Sequence, residues 1–162
     1  MSISVGKFSE NDLMYMIRIW NDVIEDGTFF PQEKPLTLNS GRDFFTAQTY
    51  CGVAKNSYGD VVGVYTIHPY NVGRCSHIAN ARYAVSKKSR AQHIGEKLVL
   101  DCMTQAKEHG FRILQFNAIV KSNIHARHLY EKLGFVQLGT IPGGFRMKDG
   151  TYENICMYYI EL

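Results

Sequence analysis

The feature that most constrains the fold is one long apolar stripe in the second half of the chain. Ile94, Leu98, Cys102 and Ala106 recur at intervals of four residues, and this spacing places apolar side chains on one face of a helix. The stripe therefore predicts a helix over 90–109 that buries this face against another layer of the structure.

Runs of residues typical of buried strands flank this helix, at about 77–85 before it and 111–120 after it. Two strands joined through a helix form a parallel pair with a right-handed crossover. Ligands of such sheets bind near the carboxyl ends of the strands, where helices begin. Residues 84–97 are therefore the first place to expect a functional site.

The other predicted elements give the chain a mixed α/β (α+β) order. They are a strand at 3–8, a helix from Leu13 to Gly27, a short helix from Asn39 or Ser40 to Phe45, strands at 50–54 and 61–68 that form a hairpin, a short helix capped by Ser122, and strands at 135–138 and 152–161. Segments 29–35 and 142–150 hold prolines or glycines without periodicity and are predicted loops. We therefore predict a single domain over residues 1–162, with helices on both faces of one mixed sheet.

Charge and composition exclude several classes of partner. The 162 residues carry a formal net charge of +3 and no run of five like charges, so no nucleic-acid partner is expected. No basic and apolar leader follows Met1, and no apolar stretch reaches membrane-spanning length, so we expect a cytoplasmic protein without a membrane partner. The four cysteines lack the close spacing of zinc or redox motifs, which predicts reduced thiols and no metal site.

The turn from Arg90 to Gly95 joins the predicted strand to the long helix. The first N–H groups of a helix have no intrahelical acceptor, and the helix dipole is positive at that end, so a phosphate group can bind there. The same groups bind only water in most strand-to-helix connections. Spacing alone leaves both interpretations open.

A second motif supports the phosphate interpretation. The turn Arg90-x-x-x-Ile-Gly95 is followed by Asn123-x-x-Ala-x-x-Leu-Tyr-Glu-Lys-Leu-Gly-Phe135, and together the two resemble the GNAT superfamily of acetyltransferases. The resemblance implies an acetyl-CoA-dependent N-acetyltransferase with a mostly antiparallel sheet and a central, splayed parallel pair of strands. His93 stands where the family pattern has its first glycine. We expect residue 93 to adopt helical backbone angles, which histidine tolerates.

The same resemblance implies how the coenzyme is held. The pantetheine arm would pair with the backbone of the first splayed strand, the pyrophosphate would accept hydrogen bonds from the turn, and an asparagine amide would contact the pantetheine. The coenzyme-binding residues implied in this way are Ala84, Val85, Arg90, Ala91, Gln92, His93, Ile94, Gly95, Glu96, Asn123 and Tyr130.

Tyr130 matches the tyrosine that protonates the leaving thiolate in this family. A thiol has a pKa of about 8.5 and a phenol of about 10, so a well-placed phenol can hydrogen-bond the sulfur as negative charge develops on it. The alternative is that Tyr130 is a half-buried core aromatic on a short helix.

Two finer resemblances concern the acceptor. Ile19 to Ile24, with the following Phe29 and Phe30, is similar to the first helix and substrate loop of amino-acid and phosphinothricin acetyltransferases. Arg74 to Ala81 and Phe116-Asn117 are similar to segments of yeast acetyltransferases that act on proline analogues. The second resemblance nominates Asn80 and Asn117 to polarise the acetyl carbonyl or to hold the substrate, unless they only satisfy strand ends.

The residue that removes a proton from the attacking amine is not evident. Tyr83, Asn80, His77 and Glu33 are candidates, and water is another; Glu33, Asn80, Tyr83 and Asn117 are also the predicted substrate-binding residues. An α-amine has a pKa of about 7.7 to 8.0 and a lysine amine about 10.4. A site without an obvious carboxylate therefore suits an α-amine.

The predicted acceptor is a small-molecule amine, an amino acid or analogue. Two alternatives remain: acetylation of a protein N-terminus or lysine, and a CoA-binding regulatory module without catalysis. A homodimer that pairs through the aromatic segment 152–160 is also possible.

Overall fold

The computed structural model describes residues 2–162. Its helices are α1 (Leu13–Asp26), α2 (Leu38–Thr46), α3 (Ile94–Glu108) and α4 (Ile124–Lys132), and its strands are β1 (Ser4–Lys7), β2 (Tyr50–Lys55), β3 (Val61–Pro69), β4 (Ile78–Val85), β5 (Ile113–Val120), β6 (Val136–Arg146) and β7 (Tyr152–Glu161). The predicted fold class is confirmed, because all strands join one mixed sheet with helices on both faces.

The seven strands lie in the order β1-β2-β3-β4-β5-β7-β6. Every neighbouring pair is antiparallel except β4 and β5, which are parallel. The parallel pair is central and is joined by α3, as the apolar stripe predicts.

Alternation along the strands divides the core into two layers. On one face, Ala79, Ala81 and Tyr83 of β4 pack toward the apolar stripe of α3. On the other face, Ala84 of β4 packs toward α1, where Trp20 is the largest buried side chain. Because successive side chains of a strand point to opposite faces, the direction of every β4 side chain follows from this division.

β4 and β5 diverge after a short parallel contact. They pair only at Ile78 with Ile113 and at Ala79 with Leu114. Beyond these pairs, β4 continues to Val85 while it remains bonded only to β3. The backbone groups on the β5 side of this segment therefore have no strand partner, and a cleft opens between the two strands.

The predicted end of β6 is wrong. The strand continues through Pro142 and the following glycines to Arg146, with a register shift between Ile141 and Phe145. The irregularity accommodates the proline, which cannot donate a ladder hydrogen bond. A β-carbon on Gly144 would lie 2.5 Å from Ile155, so only glycine allows the close approach to β7.

Several helix starts differ from the predictions by a few residues. The side chain of Thr37 caps α2, and that of Asn123, rather than Ser122, caps α4. The long helix begins at Ile94 instead of residue 90. The capping box of Ser9 and Asp12 before α1 is present as predicted.

None of the helices within residues 2–162 is long and apolar enough to cross a membrane, and no group of three His, Cys, Asp or Glu side chains in this range could hold a metal ion. All four cysteines are free thiols, and only Cys75 is exposed. β7 lies inside the sheet and buries Cys156 and Tyr158 in the core, so pairing of two chains through this segment stays a prediction.

Candidate active site

The gap between β4 and β5 forms a cleft of about 300 Å³. Its walls come from β4, β5, α3, α4 and the loop after α1, and are largely apolar. The residues that line the cleft include Phe29, Phe30, Pro31, Asn80, Arg82, Tyr83, Arg90, Gly95, Phe116, Asn117, Asn123 and Tyr130. Mostly apolar clefts with a few polar groups are typical of small-ligand sites.

Tyr130 is held in the cleft by aromatic packing. Its ring centroid lies 4.6 Å from that of Phe116 and 5.5 Å from that of Phe135, and the residue is 6% exposed. Burial raises the pKa of its phenol above the usual value of 10. The phenol is therefore protonated at neutral pH and can donate a hydrogen bond.

Tyr83 lies on the same side of β4 and also lines the cleft. Its ring centroid is 5.7 Å from Phe116 and 6.4 Å from Tyr130. The hydroxyl is buried without a hydrogen-bond partner among residues 2–162, and burial raises its pKa well above 10, with Cys102 contributing. A phenol with so high a pKa is not a proton acceptor at neutral pH, which argues against Tyr83 as the general base.

The turn before α3 has an unusual backbone. Ala91 and His93 both adopt left-handed conformations, with φ of 69° and 56°. The expectation of helical angles at residue 93 is therefore wrong, since the helix begins one residue later. Successive backbone N–H groups in turns that contain left-handed residues can form a concave anion-binding site. Non-glycine residues in this conformation are strained, and such strain concentrates at functional sites.

The charges near this turn are partly engaged elsewhere. Lys87 forms an ion pair with Asp26 at 2.8 Å, and the Lys97 amine donates to the carbonyl of Ile3. The carboxylate of Glu96, at the start of α3, contacts the amine of Lys132 at 3.0 Å. Arg90 lines the cleft next to the turn.

The side chain of Asn123 caps α4 with its oxygen and lines the cleft. Its Oδ1 accepts a hydrogen bond from the N–H of Ala126 at 3.4 Å and caps α4. The amide nitrogen is not used by the cap. Asn123 lines the cleft beside Gly95, so this nitrogen can donate to a bound ligand.

Asn80 and Asn117 both line the cleft, from the two strands that border the gap. Asn80 is 5% exposed and lies on β4 one residue beyond the last pair with β5. Asn117 lies at a register shift in β5, between Phe116 and Ile119, where β5 has no partner in β7. The bulge directs β5 away from regular pairing at the point where the cleft opens.

The loop after α1 covers this part of the cleft. Phe30 is 7% exposed, and its ring lies 4.7 Å from the indole of Trp20. Trp20 in turn packs on Phe44 and Phe45 of α2. This aromatic cluster fixes the loop, so that Phe29 and Pro31 also line the cleft.

Two residues proposed from the sequence lie outside the cleft. Glu33 lines a second cavity, between the loop and β6, where its carboxylate pairs with Arg146 at 2.5 Å. His77 is exposed before β4, and its carbonyl accepts a hydrogen bond from the N–H of Arg112. Neither side chain is brought to Asn80 or Tyr130.

Arg82 is a cleft residue that sequence reasoning missed. It lies two positions after Asn80 on the same face of β4 and is partly buried. The alternation of small residues along β4, with one arginine on the face opposite Ala81, is the signal that could have identified it.

Residues 16–135 match the sequence model of the acetyltransferase (GNAT) family, which is most of the chain and includes both motifs. The chain belongs to the GNAT acetyltransferase family. Its members include N-acetyltransferases, and the resemblance inferred from the two motifs is confirmed.

Individual relatives agree with this assignment. The N-acetyltransferase aca1 of Schizosaccharomyces pombe is 29% identical, in an alignment that covers 79% of this chain and 69% of that protein. A GCN5-related N-acetyltransferase from Kribbella flavida superposes with a TM-score of 0.91 at 26% identity, covering 99% of this chain and 98% of the other.

A protein of similar fold was solved with a ligand. The phosphinothricin acetyltransferase of Sinorhizobium meliloti, in complex with acetyl-CoA, has a TM-score of 0.92 and covers 100% of this chain and 89% of its own. Its identity of 18% means that the likeness concerns the fold alone.

Proposed function

We propose that this chain transfers the acetyl group of acetyl-CoA to the amine of a small molecule, an amino acid or an analogue, by direct attack. The observation that supports this most is the cleft, in which the turn before α3, the diverging strands and Tyr130 meet. Acetyl-CoA supplies an acetyl group that is already activated as a thioester.

The cleft residues suit the parts of the coenzyme. The free backbone groups of β4 up to Ala84 and Val85 offer hydrogen bonds to the amides of the pantetheine arm, as an added strand would. The N–H groups from Gln92 to Glu96, near the left-handed Ala91 and His93, offer donors for the pyrophosphate. Arg90 adds a positive charge beside them, and the Asn123 amide nitrogen contacts the arm.

We assign to Tyr130 a hydrogen bond to the departing sulfur. Its raised pKa makes it a weaker acid than a thiol of pKa about 8.5, so complete transfer of its proton to the thiolate is unfavourable. The C–N bond forms as the C–S bond breaks, and the proton lost by the amine reaches the sulfur or the solvent. Tyr130 therefore keeps its own proton at the end of the reaction.

Asn80 and Asn117 are proposed to orient the reacting groups. Their amides lie on the two strands that border the gap, where they can donate to the acetyl oxygen or accept from the amine. Hydrogen bonds that strengthen as charge develops on the acetyl oxygen lower the barrier. A water molecule can accept the proton of the amine.

A small acceptor is favoured by the cover over the cleft. The loop from Phe29 to Pro31 is fixed by the aromatic cluster around Trp20, which leaves a confined space at this end. The second cavity, lined by Glu33 and Arg146, shares Phe30 and Pro31 with the cleft, so it is one route along which a peptide acceptor could extend.

A screen of amines with detection of free thiol tests the proposal. The purified chain should bind acetyl-CoA saturably and release thiol with at least one amino acid or analogue. Absence of saturable acetyl-CoA binding would overturn the coenzyme assignment. Binding without thiol release from any amine would instead support the regulatory module.

A further inference from the structure

The charged residues that line the cleft are both arginines. Arg90 belongs to the turn before α3, and Arg82 lies on β4 between Asn80 and Ala84. Among residues 2–162, no aspartate or glutamate lines this cleft. The end of the cleft beside Asn80 is therefore positive and has no protein counter-ion.

Arg82 is unusual for a partly buried arginine. None of the ion pairs in the described part of the chain includes it. Buried charges are normally paired, because transfer of a charge out of water is costly. Burial lowers the pKa of its guanidinium, without a compensating contribution from any carboxylate.

The β3 residues paired with Arg82 and Asn80 are not carboxylates. Its β3 neighbour across the ladder is the buried Thr66, and the next pair along is His68 with Asn80. The Nδ1 atom of His68 is buried without a hydrogen-bond partner within residues 2–162. Burial, with the nearby charge of Arg82, lowers the pKa of His68, so this imidazole is neutral at neutral pH.

We propose that Arg82 binds the carboxylate of the acceptor, which makes α-amino acids, rather than simple amines, the substrate class of this cleft. The inference rests on the proposed acetyl transfer. A guanidinium binds a carboxylate through two parallel hydrogen bonds, which fixes orientation as well as position. Asn80 and Arg82 are two residues apart on one face, so they contact neighbouring groups of one small ligand.

This arrangement also favours the reactive form of the amine. The carboxylate of a free amino acid favours the ammonium form of its amine, and pairing of that carboxylate with Arg82 offsets this effect and lowers the pKa of the amine. The neutral amine needed for attack is then populated without a protein carboxylate as base. The cleft has no carboxylate among residues 2–162 to pair with an acceptor that carries a second positive charge, such as a lysine side chain in a peptide. Such acceptors should therefore bind poorly.

Matched pairs of acceptors test the proposal. Each amino acid is compared with its carboxamide, and kcat/KM is expressed per neutral amine, because the amide changes the pKa of the amine. We expect the wild-type protein to prefer the acid by about 10²-fold, the scale of hydrogen bonds to a charged group. Arg82→Gln should abolish this preference, because it lowers kcat/KM for the acid far more than for the amide.

Two further variants make the result specific. Arg82→Lys keeps the positive charge but loses the two parallel N–H donors of the guanidinium, so it should retain an intermediate preference for the acid. Arg112→Gln, at an exposed site outside the cleft, is the control and should behave as the wild type. Equal rates for acid and amide in the wild type, or an acid preference that survives in Arg82→Gln, would overturn the inference.

Different results would overturn the acetyl transfer and the role of Arg82. Thiol release with amines, but without an acid preference, removes only the role of Arg82. If no amine is acetylated, binding of N-acetyl amino acids and their amides to the CoA-loaded protein is measured by calorimetry. Tighter binding of the acid that is lost in Arg82→Gln would still support the carboxylate site, and equal binding would exclude it.

Discussion

The rings of Tyr130 and Phe116 lie 4.6 Å apart, tilted by 44°. This contact joins α4, which carries the second sequence motif, to β5 at the point where β5 separates from β4. The position of Tyr130 is therefore determined by ring packing. Its hydroxyl can be removed while the ring remains in place, which allows its chemical role to be tested separately.

Tyr130→Phe should lower kcat by about 10²-fold or more, the scale of losing one hydrogen-bond donor to a developing negative charge. Acetyl-CoA affinity and the free energy of unfolding should change little, since the aromatic contacts persist. Steady-state thiol release, calorimetry with acetyl-CoA and urea unfolding provide the three measurements. Tyr58→Phe, at a tyrosine that is 80% exposed, is the control. An unchanged kcat would remove Tyr130 from the mechanism.

His93→Gly should stabilise the protein. A left-handed residue with a β-carbon costs about 1 to 2 kcal/mol, and glycine relieves this cost at the expense of some unfolded-state entropy. We expect the free energy of unfolding to rise by about 0.5 to 1 kcal/mol, measured by urea titration.

The matched control for that substitution is His128→Gly. His128 is exposed inside α4, where glycine is a poorer helix former than histidine by about 0.5 kcal/mol. The two His→Gly variants should therefore change stability in opposite directions. A loss of stability in both would contradict a strained turn at residue 93.

Asp12→Asn should reduce the stability of the protein at neutral pH more than at pH 3. Burial by itself raises the pKa of Asp12, but hydrogen bonds from Lys55 and Ser9 outweigh it and the pKa is lowered. A carboxyl whose pKa is lower when folded stabilises the protein above its unfolded pKa of about 3.9. This stabilisation is lost as the pH falls through the folded pKa.

Urea unfolding at pH 7 and pH 3 measures this effect. We expect the variant to lose about 1 to 2 kcal/mol at pH 7, and the difference from wild type to shrink at pH 3. Asp43→Asn, at an exposed aspartate outside the ion pairs of residues 2–162, should show no comparable pH dependence. An equal loss at both pH values would contradict the assignment.

Glu33→Gln distinguishes small acceptors from peptides. Glu33 pairs with Arg146 at an exposed site in the second cavity, and exposed ion pairs contribute little to stability. With a free amino acid as acceptor, kcat/KM should be unchanged. A peptide acceptor that extends past Arg146 would instead show a changed KM. Peptides and free amino acids compared in parallel, with Lys34→Gln as control, provide the measurement.

Local patterns in the sequence determined the elements and the family. The stripe from Ile94 to Ala106 defined the long helix because a helix face depends only on the spacing of nearby residues. The two motifs identified the GNAT family because the residues that form a turn or cap a helix are also close together in the sequence. The same local rules failed at Pro142, because proline and glycine usually end a strand. Here β6 continues past them, since a shift in its register with β7 accommodates these residues.

The tertiary structure decided the properties of the site. The left-handed angles of His93 depend on where α3 must begin to pack on the sheet, and the sequence around it does not reveal this. The separation of Glu33 from the cleft and the lack of a carboxylate near Arg82 depend on which distant segments meet. The free energy of a charge is set by its burial and by partners that are distant in sequence. Only the folded chain therefore shows that Arg82 is partly buried without a carboxylate partner among residues 2–162.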